Sequence, residues 1–281
     1  MANITFIKRI GSASKYLVVL AAVLVFTGWL MNTPPGLLGK LDAIAYAVCH
    51  RIAARSFEIG SVALPLCARC SGMYLGAVTG LVFQSMRGWK RSKAPRWGII
   101  AVLLVFVVAF GIDGVNSYLY LLKQLRPGIL PQIPNIYIPN NTLRLLTGSG
   151  MGLVIAAMLF PAFNQSIWTD YDDTRAGLAG WKDFGVLLGI QIIFDLLVLT
   201  QSPIILYPLA LISTLGVVLL LTMVYTIVWV MLTNQENKYT KMRSLWLPIL
   251  AGFTITMIQT FGIDMLRFWL THTWGGFPLG G

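Results

Sequence analysis

Cys49, Cys67 and Cys70 are the three cysteines of this 281-residue chain, and they share the stretch 49–70 with His50, one of its two histidines. Three chemistries fit that set. A Cys-x-x-Cys pair with a distant Cys and a His supplies the four soft ligands of tetrahedral zinc. Adjacent residues on a helix point about 100° apart, so Cys49 and His50 both ligate only where a helix ends. Irregular backbone over 56–65 would provide such an end; otherwise one of the two ligates and a water or an aspartate completes the shell. The second chemistry is thiol–disulfide exchange. Cys70 would stand at the N-terminus of the next apolar run, where the helix dipole lowers a thiol pKa, and Cys67–Cys70 would exchange with Cys49 against a membrane quinone. An odd cysteine count and the neighbouring His50 suit this less well. The third is a staple, by metal or disulfide, tying a loop to the following helix. Structural zinc ranks first, catalytic zinc second and redox exchange third, because a closed four-ligand site is usually structural.

Arginine supplies the second chemistry-bearing set: Arg51, Arg55, Arg69, Arg144 and Arg267. Its planar fork suits bidentate recognition of a carboxylate or phosphate, which lysine does not reproduce. An anionic substrate, a lipid phosphate or a pyrophosphate would fit. The competing reading is pairing with Asp42, Glu58 and the aspartates of the apolar runs. Arg51 and Arg55 are i,i+4 neighbours if the helix before them continues that far. Asp113/Asn116, Arg144/Thr147 and Asp264/Arg267 are i,i+3 pairs, each placing two polar groups on one helix face. With Asn141 and Asp195 they form the ionisable and amide set inside otherwise apolar segments. Such residues are costly in lipid and face a bundle interior or a wet cavity. Asp113, Asp195 and Asp264 would shape that cavity or relay protons, and are the candidate catalytic groups. The bland alternative is helix-to-helix ion pairing, such as Asp264 with Arg267 or Asp113 with Arg144.

The elements that must position these residues are membrane spans. A mean hydropathy of +0.75, with 57% hydrophobic and 11% charged residues, excludes an ordinary soluble domain. The net charge of +11 sits in short clusters between apolar runs rather than in one stripe, so nucleic acid is not an expected partner. Apolar windows at 16–31, 71–86, 97–119, 142–162, 184–200, 205–232 and 245–270 are read as spans of ~30 Å of hydrocarbon. The second and fifth are the shortest. The first, preceded by Lys8, Arg9 and Lys15, carries no small-x-small cleavage site and is read as an uncleaved span. Backbone groups in lipid must be satisfied internally, so the expected fold is all-α: a polytopic membrane bundle of about seven helices, 1–281 forming one domain.

Positive charge orients it. With the N-terminus inside, inner segments carry 13 Lys and Arg and outer loops 6, giving N-in, C-out, with the cysteine stretch on the outer face. Small-residue seams at Ala68/Gly72/Gly76/Gly80, Gly148/Gly152 and Gly185/Gly189 predict close helix approach. The loop 123–141, with prolines at 127, 131, 134 and 139, predicts stiff extended backbone packed as a connection. The DYDD stretch, 170–173, reads as a solvated loop. "FGID" at 110–113 and 261–264 is too short to establish a duplication.

Cys49-His50, Arg55-Ser56-Phe57 and Pro65-x-Cys67-x-Arg69-Cys70-x-Gly72-x-Tyr74-x-Gly76 closely resemble the signature of the domain-of-unknown-function family 2085, a group of prokaryotic membrane proteins. "NNTLRLLTG", with Asn141, Arg144, Thr147 and Gly148, is similar to that family's second motif. The resemblance covers about residues 37–155 and leaves 184–270 as additional spans. It implies a multi-pass protein of a prokaryotic plasma membrane in which both motifs belong to one unit, and it implies no activity. The residues themselves point to a zinc-stabilised outward site binding an anionic substrate or lipid head group, for transport or for head-group chemistry; whether the chain is an enzyme is left open. A thiol–quinone oxidoreductase using Cys67-x-x-Cys70 and a non-catalytic subunit with membrane-complex partners are the alternatives.

Overall fold

The structure, a computed structural model, describes residues 2–60 and 62–276, with side chains from Lys15 onward. The side chains of Lys8 and Arg9, used in the charge argument, lie outside the described residues. Each of the seven apolar windows is a helix. They are α1 (Ala2–Asn32), α3 (Ala68–Arg87), α4 (Trp97–Leu125), α5 (Asn141–Ile167), α6 (Trp181–Leu199), α7 (Pro203–Leu232) and α8 (Trp246–Thr271). An eighth helix, α2 (Gly36–Val48), precedes the cysteine stretch. Five helices, α1, α4, α5, α7 and α8, are long and apolar enough to cross a bilayer. The other two long ones, α3 and α6, have 20 and 19 residues. The fold is an all-α membrane bundle.

Local chemistry sets the helix ends. Asn140 caps α5, its Oδ1 accepting from Leu143 N at 2.8 Å. Pro203 opens α7, where its missing N–H is harmless. At the other extreme, Leu104, Val105, Val108 and Val115 of α4 are exposed, as expected of a face that meets lipid rather than water.

The centre of the bundle is the α3–α5 pair, and glycine makes it possible. A Cβ at Gly72 would strike Leu145 O, one at Gly148 would strike Arg69 O, and one at Gly152 would strike Met73 O. Backbones this close need residues without side chains. The third seam behaves differently: a Cβ on Gly185 or Gly189 of α6 would meet nothing within 4 Å. Their spacing is right, but they do not face a neighbour. Around the central pair, α4 packs on α5, α7 on α3 and α5, α8 on α7, and α1 on α8.

The chain connections gather at the two ends. At one end the backbone after α2 forms a 3-10 turn (Ala53–Arg55) and a small antiparallel ladder of β1 (Glu58–Ile59) and β2 (Val62–Ala63). The proline-rich loop lies at this end too, as an irregular connection. At the opposite end β3 (Arg91–Lys93) runs parallel to β4 (Asp172–Ala176). The DYDD stretch is therefore not a plain solvated loop: Asp172 begins β4 and Asp170 pairs with Lys90 at 2.6 Å.

A candidate metal and anion site

The end of α2 creates the thiol site. Val48 is its last helical residue, Cys49 is extended (φ −130°, ψ 144°), and Arg51 turns the chain through the left-handed region at φ 52°. The following loop returns Cys67 as the N-cap of α3, which puts Cys70 in the first turn. The three sulfur atoms lie within 4.8 Å of one another, and none forms a disulfide. The backbone N–H of Cys67 donates to Cys49 Sγ at 3.4 Å, and that of Arg51 at 3.5 Å. The thiols of Cys67 and Cys70 and these two amides hold the Cys49 thiol well below its usual range, whereas Cys67, sharing its proton with Cys49, is pushed up. Trp29, Ile44, Leu66, Val217 and Met257 form an apolar shell around Cys49 and Cys67.

Two expected ligand-binding arginines hold this backbone in place. Arg267 donates to Tyr46 O at 2.6 Å, Cys49 O at 2.7 Å and His50 O at 3.3 Å, and stacks 3.9 Å from the Tyr46 ring centroid. Arg51 pairs with Asp42 at 2.7 Å and donates to Trp274 O at 2.9 Å. It shares no helix with Arg55, because α2 stops at Val48 and Arg55 belongs to the 3-10 turn. His50 also differs from expectation: it is not in the convergent thiol group, and its Nδ1 accepts from Ile52 N at 3.2 Å. Burial, reinforced by Arg55, Arg69 and Arg144, holds its imidazole below the usual range against the pull of Cys49.

Those three arginines form the second half of the site, around one carboxylate. Arg69 donates through Nε to Asp113 Oδ2 at 3.0 Å and through Nη2 to both Asp113 Oδ2 and Ser117 Oγ. Arg55 Nη2 donates to Ser117 O at 3.1 Å, and burial together with Arg69 lowers its pKa. Arg144 Nη1 donates to Asn141 Oδ1 at 2.8 Å, while its Nε is buried without a partner. Asp113 therefore pairs with Arg69 of α3 rather than with Arg144. Asn141 also donates to Ser56 O at 3.3 Å and lines a cavity of about 470 Å³ with Ser56 and Glu58.

Asn116 has a different task. Its side chain donates to Tyr137 O at 3.0 Å and accepts from Ile136 N at 2.9 Å, clasping the proline-rich loop to α4. That loop contributes a residue the motifs did not mark: Tyr137 donates to Asp113 Oδ1 at 2.6 Å, and burial plus this carboxylate pushes its pKa up to about 12. Ser117 was equally unmarked, although it stands one turn from Asp113 on the same helix face. The other two aspartates lie apart from this cluster. Asp195 Oδ1 accepts from Ser149 Oγ at 2.6 Å and Gln191 Nε2 at 3.0 Å. Asp264 Oδ2 accepts from Trp29 Nε1 at 3.1 Å. Each belongs to a separate helix contact.

A family model described as "Predicted membrane protein (DUF2085)" matches residues 49–158, from the first cysteine into α5. An uncharacterized protein of Methanothermobacter thermautotrophicus is 30% identical over 110 residues, 38% of this chain and 82% of that relative. The chain belongs to the DUF2085 family. A second relative, the uncharacterized protein MJ1492 of Methanocaldococcus jannaschii, is 24% identical over 133 residues, 47% of this chain and 73% of its own length. No solved structure matches. The DUF2085 region contains the three cysteines, the arginine cluster, α3 and α5 as far as residue 158, and it excludes Arg267, Asp195 and Asp264.

Proposed function

We propose that this membrane bundle holds a zinc ion between the sulfurs of Cys49, Cys67 and Cys70, and that Arg55, Arg69 and Arg144 beside it bind an anionic substrate or lipid head group at the outer leaflet. The observation that carries the reading is the pairing of a thiol triangle, whose Cys49 sulfur already accepts two backbone amides, with a cluster of three guanidinium groups of which only Arg69 bonds Asp113. Thiolates are zinc's softest protein ligands, and tetrahedral Zn–S bonds of about 2.3 Å need sulfurs about 3.8 Å apart. A triangle with sides up to 4.8 Å closes on such an ion by small side-chain rotations. Three thiolates around Zn²⁺ leave one negative charge, which nearby guanidiniums stabilise.

His50 stands outside the group, so the fourth position falls to water or an incoming ligand, the arrangement of zinc sites that act as Lewis acids. The arginines orient an anion beside it, with the Arg144 Nε free to donate. Asn141 lines the neighbouring cavity and is Arg144's partner, which supplies a route of approach. Transport and head-group transfer or hydrolysis share this requirement.

The test is elemental analysis of the purified protein with thiol counting under non-reducing conditions. About one zinc per chain, lost in Cys67→Ser, is the expected result. Metal-free protein with a Cys67–Cys70 disulfide would replace this reading with thiol exchange against a quinone.

A further inference from the structure

At the end of the bundle opposite the cysteines, the parallel ladder sets Arg91 beside Asp172 and Lys93 beside Ala176. The chain then turns into α4, capped by Arg96. Between the ladder and the first turn of α4 lies a cavity of about 750 Å³, lined by Arg91, Lys93, Arg96 and Arg175 together with Trp97 and Ile100. Four cations face it, and no carboxylate does among the described residues. Arg91 spends one donor on Ala176 O at 3.3 Å. Arg175 Nε is 4.0 Å from Asp172 Oδ2, and the other oxygen of that carboxylate is taken by Thr174. Among the described residues Lys93 and Arg96 have no ion pair. Four like charges around one void repel unless an anion sits among them.

The surroundings identify the anion. Trp97 opens α4 and is 84% exposed, and the helix behind it has a mean hydropathy of 2.6. Trp89 and Trp181 are exposed at the same end of the bundle. Exposed tryptophans flanking an apolar helix mark the head-group level of a bilayer. Ile100 continues the cavity wall onto α4, whose next turn exposes Leu104. A free phosphate would satisfy the charges and leave most of the volume empty, because cavities of about 300–1,000 Å³ hold drug-sized ligands. An acidic phospholipid satisfies both walls, its phosphate among the cations and its chains along α4. We propose that this cavity is a binding site for the phosphate of an anionic phospholipid, separate from the site near the cysteines.

The experiment counts lipids retained per chain by native mass spectrometry, with phosphatidylglycerol and phosphatidylcholine offered in equal amounts. Wild-type protein is expected to prefer phosphatidylglycerol. The double variant Lys93→Gln/Arg96→Gln, altered at two exposed positions, is expected to retain one fewer per chain. Its affinity should fall about 25-fold, since each of the two juxtamembrane cations contributes about fivefold. Lys93→Arg, which keeps the charge, should bind as wild type does. Equal phosphatidylglycerol retention by wild type and the double variant would overturn the proposal. Displacement of the lipid by millimolar inorganic phosphate would overturn the lipid assignment in favour of a free anion.

Discussion

At the scale of single residues, Asp113 is the group on which the arginine cluster depends. It is 1% exposed and accepts from Arg69, from Tyr137 at 2.6 Å and from Thr147 at 3.3 Å. Asp113→Ala would leave the buried Arg55 and Arg144 and the half-buried Arg69 with no carboxylate among them, and losing one partner of a buried pair costs about 3–5 kcal/mol. A marked fall in thermal stability is the expected outcome. If the cluster accepts anions, added sulfate should recover part of that loss, because the ion would occupy the vacated negative position. Loss without recovery would reduce the arginines to charge balance and remove the anion half of the proposed function. Asp113 and Arg144 were visible in the sequence because a charge inside an apolar run stands out. Their pairing was not. Which arginine reaches Asp113 depends on how α3, α4 and α5 are rotated against each other, and Tyr137 arrives from a loop whose path no local pattern specifies.

At the scale of elements, the glycine seams separate what spacing can tell from what packing decides. The seven helices were legible because apolar length is a local property of the chain. The 13-residue α2 was supposed before Cys49 but not bounded, being too short to stand out as a span. Gly148/Gly152 and Gly185/Gly189 share one spacing, yet the first pair lies against α3 backbone and the second meets nothing. Opposite effects follow from the same substitution. Gly148→Ala drives a methyl group into the carbonyl of Arg69, next to Cys70, and overpacking of this kind costs about 1–3 kcal/mol. It should lower the melting temperature in detergent and reduce bound zinc, because α3 and its N-cap carry two of the three thiols. Gly185→Ala adds a methyl group to open space and removes a helix-weakening glycine, a gain of up to about 1 kcal/mol. Equal behaviour of the two variants would mean that α3 and α5 do not approach as closely as described.

At the scale of the whole molecule, the two ends of the bundle carry different chemistry, and which end faces which compartment decides what the thiols experience. The excess of Lys and Arg, 13 against 6, is the basis for expecting the β3–β4 end inside and the cysteines outside. An outer compartment permits disulfides, and three free thiols within 4.8 Å would oxidise there unless a metal held them. Orientation and metal content are thus linked. Gln132 and Glu236 are exposed loop residues at opposite ends, and single reporters Gln132→Cys and Glu236→Cys can be compared with the unmodified chain in intact cells. A membrane-impermeant maleimide should add label to Gln132→Cys and none to Glu236→Cys. The reverse pattern would put the thiols in a reducing compartment, where they stay free without protection. It would also move the basic cavity to the outer leaflet. The expected pattern, found with unreacted native thiols, would mean that something other than the solvent keeps Cys49, Cys67 and Cys70 from oxidising, and zinc coordination is the chemistry their geometry offers for it.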